Sequence, residues 1–126
     1  MLEKSLAIDE ATFGPNHPNV AIRLNNLGNV LLTQGDFAGA KALLERALLI
    51  GEAALGLNHP RVASFTGNLG SVLREQGDMT GAKALYERSL HILREYLGDY
   101  HPNTKKVQNN LRELEEKLRN TNASSD

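Results

Sequence analysis

The sequence predicts an all-α protein, a superhelix of antiparallel helix pairs with about five helices. The first observation is a repeat, because His17-Pro18 returns as His59-Pro60 and as His101-Pro102, a period of 42 residues. When residues 17–58 are superposed on residues 59–100, 23 of the 42 positions are identical. A fixed period of this length is typical of stacked repeat units. The other two observations are apolar residues at helical spacing and glycines where each helix should stop.

Each unit begins with one helix, which we call helix A. We predict helix A from about Pro18 to Gln34 and again from about Pro60 to Gln76. Proline suits the first helical position, where its missing N–H would have no partner. The buried stripe of the first helix A follows the i, i+4, i+7, i+11 spacing of a helix. Its members are Val20, Leu24, Leu27 and Leu31.

A second helix, helix B, completes each unit. It is predicted from about Phe37 to Leu55 and from about Met79 to Leu97. Gly35 supplies the left-handed residue that ends helix A, and Asp36 can cap the next helix. Gly56 closes helix B in the same way. The inner face of the first helix B should contain Phe37, Ala40, Leu44, Ala47 and Leu48.

The two ends differ from the middle of the predicted repeat domain, residues 1–119. Residues 1–16 align with a helix B alone, so the chain opens on half a unit. Residues 101–119 align with a helix A, in which Arg112 replaces the glycine that lets helix B approach closely. This last helix is therefore expected to cap the stack with a charged face. Residues 120–126 are predicted to be a disordered tail.

Composition excludes several classes of function. Fourteen Lys and Arg residues against fifteen Asp and Glu residues give a net charge of −1, so no general field attracts nucleic acid or an anionic membrane. The chain contains no cysteine, and its apolar runs are too short to span a bilayer. The N-terminus lacks the apolar region of a secretory signal. A cytoplasmic protein without a cofactor is expected.

Three motifs mark the units: Leu-Gly-x-x-His-Pro-x-Val-Ala, which is complete at residues 55–63, and Asn-Leu-Gly and Gln-Gly-Asp-x-x-Gly-Ala-Lys-Ala-Leu-x-Glu-Arg-x-Leu, which each occur twice. Together they resemble the 42-residue kind of tetratricopeptide repeat (TPR) found in kinesin light chains and in many bacterial multi-repeat proteins. The resemblance covers residues 1 to about 119 and is one of repeat type. It implies a right-handed superhelix whose A helices line a concave groove that receives an extended peptide or a partner's helix.

Residues on the side of helix A away from the buried stripe are expected to line this groove, since residues three and four apart are neighbours on a helix. They are Ile22, Asn25, Asn26, Asn29 and Thr33 in the first unit, Ser64, Gly67, Asn68, Ser71 and Arg74 in the second, and Lys106, Asn109, Asn110 and Glu113 in the third.

One asparagine recurs in every helix A, as Asn26, Asn68 and Asn110. Its amide could pair with the backbone of a bound peptide, because it offers both donors and an acceptor. It could equally satisfy a loop or a carbonyl of a neighbouring helix and have no role in binding. For Asn25 and Asn29 the internal role is the less favoured one.

The resemblance also suggests a comparison with TPR domains that clamp the C-terminal carboxylate of chaperone tails. Their lysine, asparagine, asparagine, lysine and arginine fall at Asn25, Asn29, Asn68, Lys106 and Asn110. Two of the three cations are therefore missing, and a clamp of charge-assisted hydrogen bonds is not expected. A milder preference for acidic peptides would rest on Arg23, Arg74, Lys105, Lys106 and Lys117.

Metal binding and catalysis find no support in the motifs. His17, His59 and His101 lie one helix pair apart, roughly 15–20 Å by helix packing distances, too far to share one zinc ion. They are expected to be loop residues before the helix-starting prolines. No nucleophile elbow and no glycine-rich loop between a strand and a helix is present.

The favoured hypothesis is a non-enzymatic interaction module that binds a protein or peptide in the groove, with no nucleic acid or membrane partner. The alternative is a structural unit that forms homo-oligomers through its incomplete N-terminal half unit, residues 1–16.

Overall fold

The computed structural model describes residue 14 and residues 16–124, and this part of the chain forms five helices without a strand. The predicted all-α fold is confirmed. The predicted N-terminal half unit, residues 1–16, lies outside the described residues except for residues 14 and 16. The helices are α1 (Pro18–Thr33), α2 (Phe37–Leu55), α3 (Pro60–Glu75), α4 (Met79–Leu97) and α5 (Pro102–Ser124).

The helices pack in chain order. Helix α1 pairs with α2 and α3 pairs with α4, while α2 against α3 and α4 against α5 join successive units. A smaller contact links α1 directly to α3. Helices α1, α3 and α5 are therefore the A helices of the predicted plan, and α2 and α4 are the B helices.

Histidine side chains cap the A helices. The imidazole Nδ1 of His17 accepts a hydrogen bond from the backbone N–H of Asn19 at 3.1 Å. His59 and His101 do the same for Arg61 and Asn103, also at 3.1 Å. The first N–H groups of a helix have no partner within the helix, so these bonds stabilise each start. The sequence indicated only that these histidines precede the helices.

The B helices begin with the predicted aspartate caps. Asp36 Oδ1 accepts from the N–H of Gly39 at 3.0 Å, and Asp78 Oδ1 accepts from Gly81 at 2.9 Å. Gly35 and Gly56 have φ angles of 85° and 97°, in the left-handed region that favours glycine. The helix stops predicted at these glycines are confirmed.

Small residues allow the A and B helices of each pair to approach closely. A Cβ at Gly28 would lie 2.8 Å from Leu44 Cγ, and one at Gly70 would lie 3.0 Å from the ring of Tyr86. Both distances are below ordinary van der Waals contact, so neither glycine can be enlarged without displacing its neighbour. The packing role expected for this glycine is confirmed.

Helix α5 has one buried face. Val107, Leu111 and Leu114 are buried against α4, and Leu118 is partly buried. Arg112 is exposed. The helix runs to Ser124, five residues beyond the predicted end at residue 119, so residues 120–124 of the predicted tail are helical. No glycine or proline after residue 102 interrupts the helix, which allows this extension.

Candidate functional site

A cleft of about 270 Å³ lies between α3, α4 and α5, and we call it the α3–α5 cleft. The two A helices form its walls and the inner face of α4 forms its floor. Its lining residues are Pro60, Ala63, Ser64, Gly67, Asn68, Ser71, Tyr86, Ser89, Leu93, Leu97, Asn103, Lys106, Val107 and Asn110.

The structure brings six of the predicted groove residues together in this cleft: Ser64, Gly67, Asn68, Ser71, Lys106 and Asn110. The other eight are not among its lining residues: Ile22, Asn25, Asn26, Asn29, Thr33, Arg74, Asn109 and Glu113. Of these eight, Thr33, Asn109 and Glu113 are exposed and Asn25 is buried, with 7% of its surface accessible. The cleft thus belongs to the second and third units.

The floor of the cleft comes from helix B, which the sequence reasoning left out of the groove. Tyr86 and Ser89 are completely buried within α4, and both line the cleft. Their counterparts in the first unit are Leu44 and Ala47. The signal was available as a departure from the repeat, since both replacements add a hydroxyl at a position that is otherwise apolar.

Hydrogen bonds fix this hydroxyl floor. The hydroxyl of Tyr86 and Oγ of Ser71 are 2.8 Å apart, which links α4 to α3. Ser89 Oγ donates to the carbonyl oxygen of Ala63 at 2.7 Å. Buried hydroxyls are tolerated when they are paired in this way. The second unit therefore presents polar, fixed groups to the cleft where the first unit has a leucine and an alanine.

An asparagine bridge connects α1 to α3. Asn68 Nδ2 donates to Asn25 Oδ1 at 2.8 Å, and Asn25 Nδ2 approaches Ser64 Oγ at 3.4 Å. We call this contact between α1 and α3 the first junction. The sequence reasoning favoured ligand binding over an internal role for Asn25, whereas the structure uses its amide between helices. For Asn68 an internal partner is likewise present, although it is the side-chain oxygen of Asn25 and not a backbone carbonyl.

The corresponding place between α3 and α5, which we call the second junction, has no such bridge because Gly67 stands where Asn25 stands in the first. The amide of Asn110 and the ammonium of Lys106 line the cleft there. Neither makes a hydrogen bond or ion pair with the described residues. The second junction thus has unpaired donor groups at two positions whose counterparts in the first junction, Asn68 and Ser64, are both hydrogen-bonded to Asn25.

Two further properties concern metals and membranes. Within residues 16–124 no three His, Asp or Glu side chains are grouped so that they could hold a metal ion. None of the described helices is both long enough and apolar enough to cross a membrane.

Helix pairs repeated along the chain, with a cleft between successive A helices, define an α-helical repeat protein. The model of the tetratricopeptide repeat family matches residues 1–53 and 61–124. The chain belongs to that family, and the resemblance seen in its motifs is confirmed.

Solved structures agree with this assignment. A kinesin light chain-like protein of Podosopora anserina, built of nearly identical TPR-like repeats, is 25% identical and superposes with a TM-score of 0.81 over 90% of this chain. BtubC (BKLC) of P. vanneervenii is 26% identical, also with a TM-score of 0.81, over 91% of this chain. The chain spans 54% and 46% of the length of these two proteins. No curated protein matches it significantly.

At the level of the family, TPR repeats generally mediate protein–protein interactions, and the fold is typically a non-catalytic scaffold. The cleft offers both polar groups and apolar walls, which is consistent with an interaction surface.

Proposed function

We propose that the chain is a non-catalytic interaction module that binds a peptide or a partner's helix in the concave groove of its A helices, with the α3–α5 cleft as the main contact. The observation that carries this proposal is the convergence of six predicted groove residues on one cleft of about 270 Å³. A groove built from so few repeats supports a contact at or below standard interface size and moderate affinity.

The lining of the cleft supports a peptide ligand. Pro60, Leu93 and Leu97 provide apolar surface, while Asn68, Asn110 and the Ser71–Tyr86 pair provide hydrogen-bonding groups. A ligand that combines backbone amides with side chains of both kinds would satisfy these groups. Asn68 pairs with Asn25, whereas the side chain of Asn110 has no hydrogen-bond partner among the described residues, which supports Asn110 as a contact for the ligand.

A random peptide library displayed against the whole chain tests the proposal. Ser64→Trp places a bulky side chain on the exposed edge of the cleft, and Arg61→Trp places the same side chain on exposed α3 surface that does not line it. We expect Ser64→Trp to weaken selected peptides by about tenfold or more, and Arg61→Trp to leave them unchanged.

Circular dichroism of both variants should first establish equal helix content. Equal peptide binding by Ser64→Trp and Arg61→Trp would place the ligand outside the cleft and contradict the proposal. A library that yields no binder to the whole chain would contradict it as well.

The alternative, self-association through residues 1–16, concerns a segment that lies almost wholly outside the described residues. At the other end of the stack, the exposed Arg112 and Glu116 on α5 oppose end-to-end packing of copies. A molar mass from light scattering that rises with concentration would favour this alternative, and a constant monomer mass would remove it.

A further inference from the structure

The repeat provides an internal comparison of the two junctions. Shifting the first junction by 42 residues turns Asn25 into Gly67, Ser64 into Lys106 and Asn68 into Asn110. The first junction is closed by the Asn25 amide, whose oxygen accepts from Asn68 and whose nitrogen donates toward Ser64. The second junction has side chains at both outer positions, Lys106 and Asn110, but lacks the side chain between them.

The second junction has free space at Gly67 in addition to the unpaired donors of Asn110 and Lys106. No side chain rises from α3 at this position, and the nearest atom to a Cβ built there is Ser89 Oγ at 3.3 Å. Asn110 and Lys106 line the same cleft and have no hydrogen-bond partner among the described residues. The position filled by Asn25 in one junction is therefore open to an external group in the other.

The donors determine which group fits. At the first junction, the bridging amide meets one donor, Asn68, and one acceptor, Ser64. At the second, the equivalents are an amide that can donate and an ammonium that can only donate. A carboxylate offers an acceptor oxygen to each donor and a negative charge to the ammonium of Lys106. A carboxamide has a single acceptor oxygen and no charge, so it is the poorer partner for Lys106.

We propose that Gly67 opens a subsite in which the side-chain carboxylate of an Asp or Glu residue of the partner replaces the missing bridge and accepts hydrogen bonds from Asn110 and Lys106. This inference rests on the proposed function and names its ligand chemistry. A side chain is favoured over a chain terminus because Asn25, at one of the positions that a terminal clamp requires as lysine, is buried in the first junction.

The donors can be tested without any peptide by supplying the missing side chain from the protein itself. Ser89→Ala, which copies Ala47 of the first unit, makes room for a side chain at position 67. In this background Gly67→Asp and Gly67→Asn introduce groups of equal shape. We expect the Asp variant to have a midpoint of thermal unfolding about 3–5 °C above that of the Asn variant.

Lys106→Ala provides the control for this series. It should abolish the difference between Asp and Asn at position 67, whereas Lys105→Ala should preserve it, because Lys105 is directed to the ring of Tyr100, 5.8 Å from its centroid. An Asn variant as stable as the Asp variant, or a difference that survives Lys106→Ala, would overturn the subsite.

Peptides selected against the whole chain provide the second test. Replacing the acidic residue of a selected peptide by Asn or Gln should weaken binding to the natural chain about tenfold but leave binding to Lys106→Ala unchanged. The Gly67→Asp/Ser89→Ala variant should lose most binding because its own carboxylate occupies the subsite.

The outcomes separate the two proposals. Peptides blocked by Ser64→Trp but indifferent to their acidic residues would retain groove binding and refute the carboxylate subsite. Loss of affinity on amidation of the peptide C-terminus, with no effect of internal acidic residues, would identify a terminal carboxylate and also refute it. Absence of any binding peptide would refute the proposed function, while the Asp–Asn comparison would still decide whether the donors select a carboxylate.

Discussion

Helices α3 and α5 occupy equivalent places in successive units, but α3 packs mainly against α2 and α4, whereas the main contact of α5 among the described helices is with α4. Their sequences differ where the neighbours differ. Gly70 of α3 lies against the ring of Tyr86, and its counterpart Arg112 is exposed. The stripe toward the preceding helix B is retained in both. A repeat of this kind therefore keeps the residues that its neighbours contact and changes the others.

The comparison also identifies a buried position at which α5 has a less favourable residue than α3. Val62 of α3 is completely buried, and Thr104 takes its place in α5, equally buried. The hydroxyl of Thr104 has no hydrogen-bond partner. Thr66, in the middle of α3, instead donates to the carbonyl oxygens of Val62 and Ala63 at 3.0 Å. Thr104 lies in the first turn, where no preceding helical turn provides such carbonyls.

The largest effect is expected when the arginine of α5 is introduced at the equivalent position of α3. Gly70→Arg would force a charged side chain into the contact with Tyr86, and we expect it to lower the free energy of unfolding by about 3 kcal/mol or more. Arg112→Gly, the reverse exchange, should cost only about 1 kcal/mol through helix propensity. Urea unfolding measures the free energy of unfolding of both variants. Equal losses would show that the environments of positions 70 and 112 do not differ.

A smaller effect of opposite sign is expected at Thr104. Thr104→Val removes the unpaired buried hydroxyl while keeping the shape of the side chain, and should raise the free energy of unfolding by about 1 kcal/mol. Thr66→Val is the matched control, since its hydroxyl is paired and its removal should bring no comparable gain. A loss of stability in Thr104→Val would mean that the hydroxyl has a partner in solution.

The smallest effect concerns the histidine caps, which α3 and α5 share. His59→Ala and His101→Ala should each lower the free energy of unfolding by about 0.5–1 kcal/mol, because an N–H in the first turn loses its acceptor. His59→Asn, which restores an acceptor, should recover most of the loss. The control is His91→Ala at an exposed surface position. A loss of stability in only one of the variants His59→Ala and His101→Ala would show that the two helix starts are not equivalent.

The fold could be predicted from the sequence because the residues that start, stop and cap each helix act locally. Pro18, Gly35 and Asp36 act on their own helix ends, and the predicted bounds of α1 to α4 agree with the structure within one residue. Histidine capping was missed because histidine is a less common cap than Asp or Ser, although its recurrence before proline was visible. The length of α5 was missed because asparagine and serine weaken a helix without ending it.

The site could be predicted only in part, because it depends on contacts between residues far apart in sequence. Helical spacing places Asn25 and Asn68 on the groove side of their helices. It does not give the register of α1 against α3, which is set by the packing of α2 between them. The contribution of Tyr86 was missed because the groove was assigned to the A helices alone, although the replacement of Leu44 by Tyr86 in the repeat was visible.

Packing in chain order has a kinetic consequence. Since every main contact joins helices that follow one another along the chain, the loops that must close during folding are short, and such low contact order is associated with fast folding. Partial unfolding should then proceed from an end. Helix α5, held by one neighbour among the described helices, would exchange its backbone amides with solvent sooner than α3, whose release requires α2 or α4 to separate as well. One wall of the α3–α5 cleft is thus the more weakly held helix, and a ligand bound there would slow this exchange.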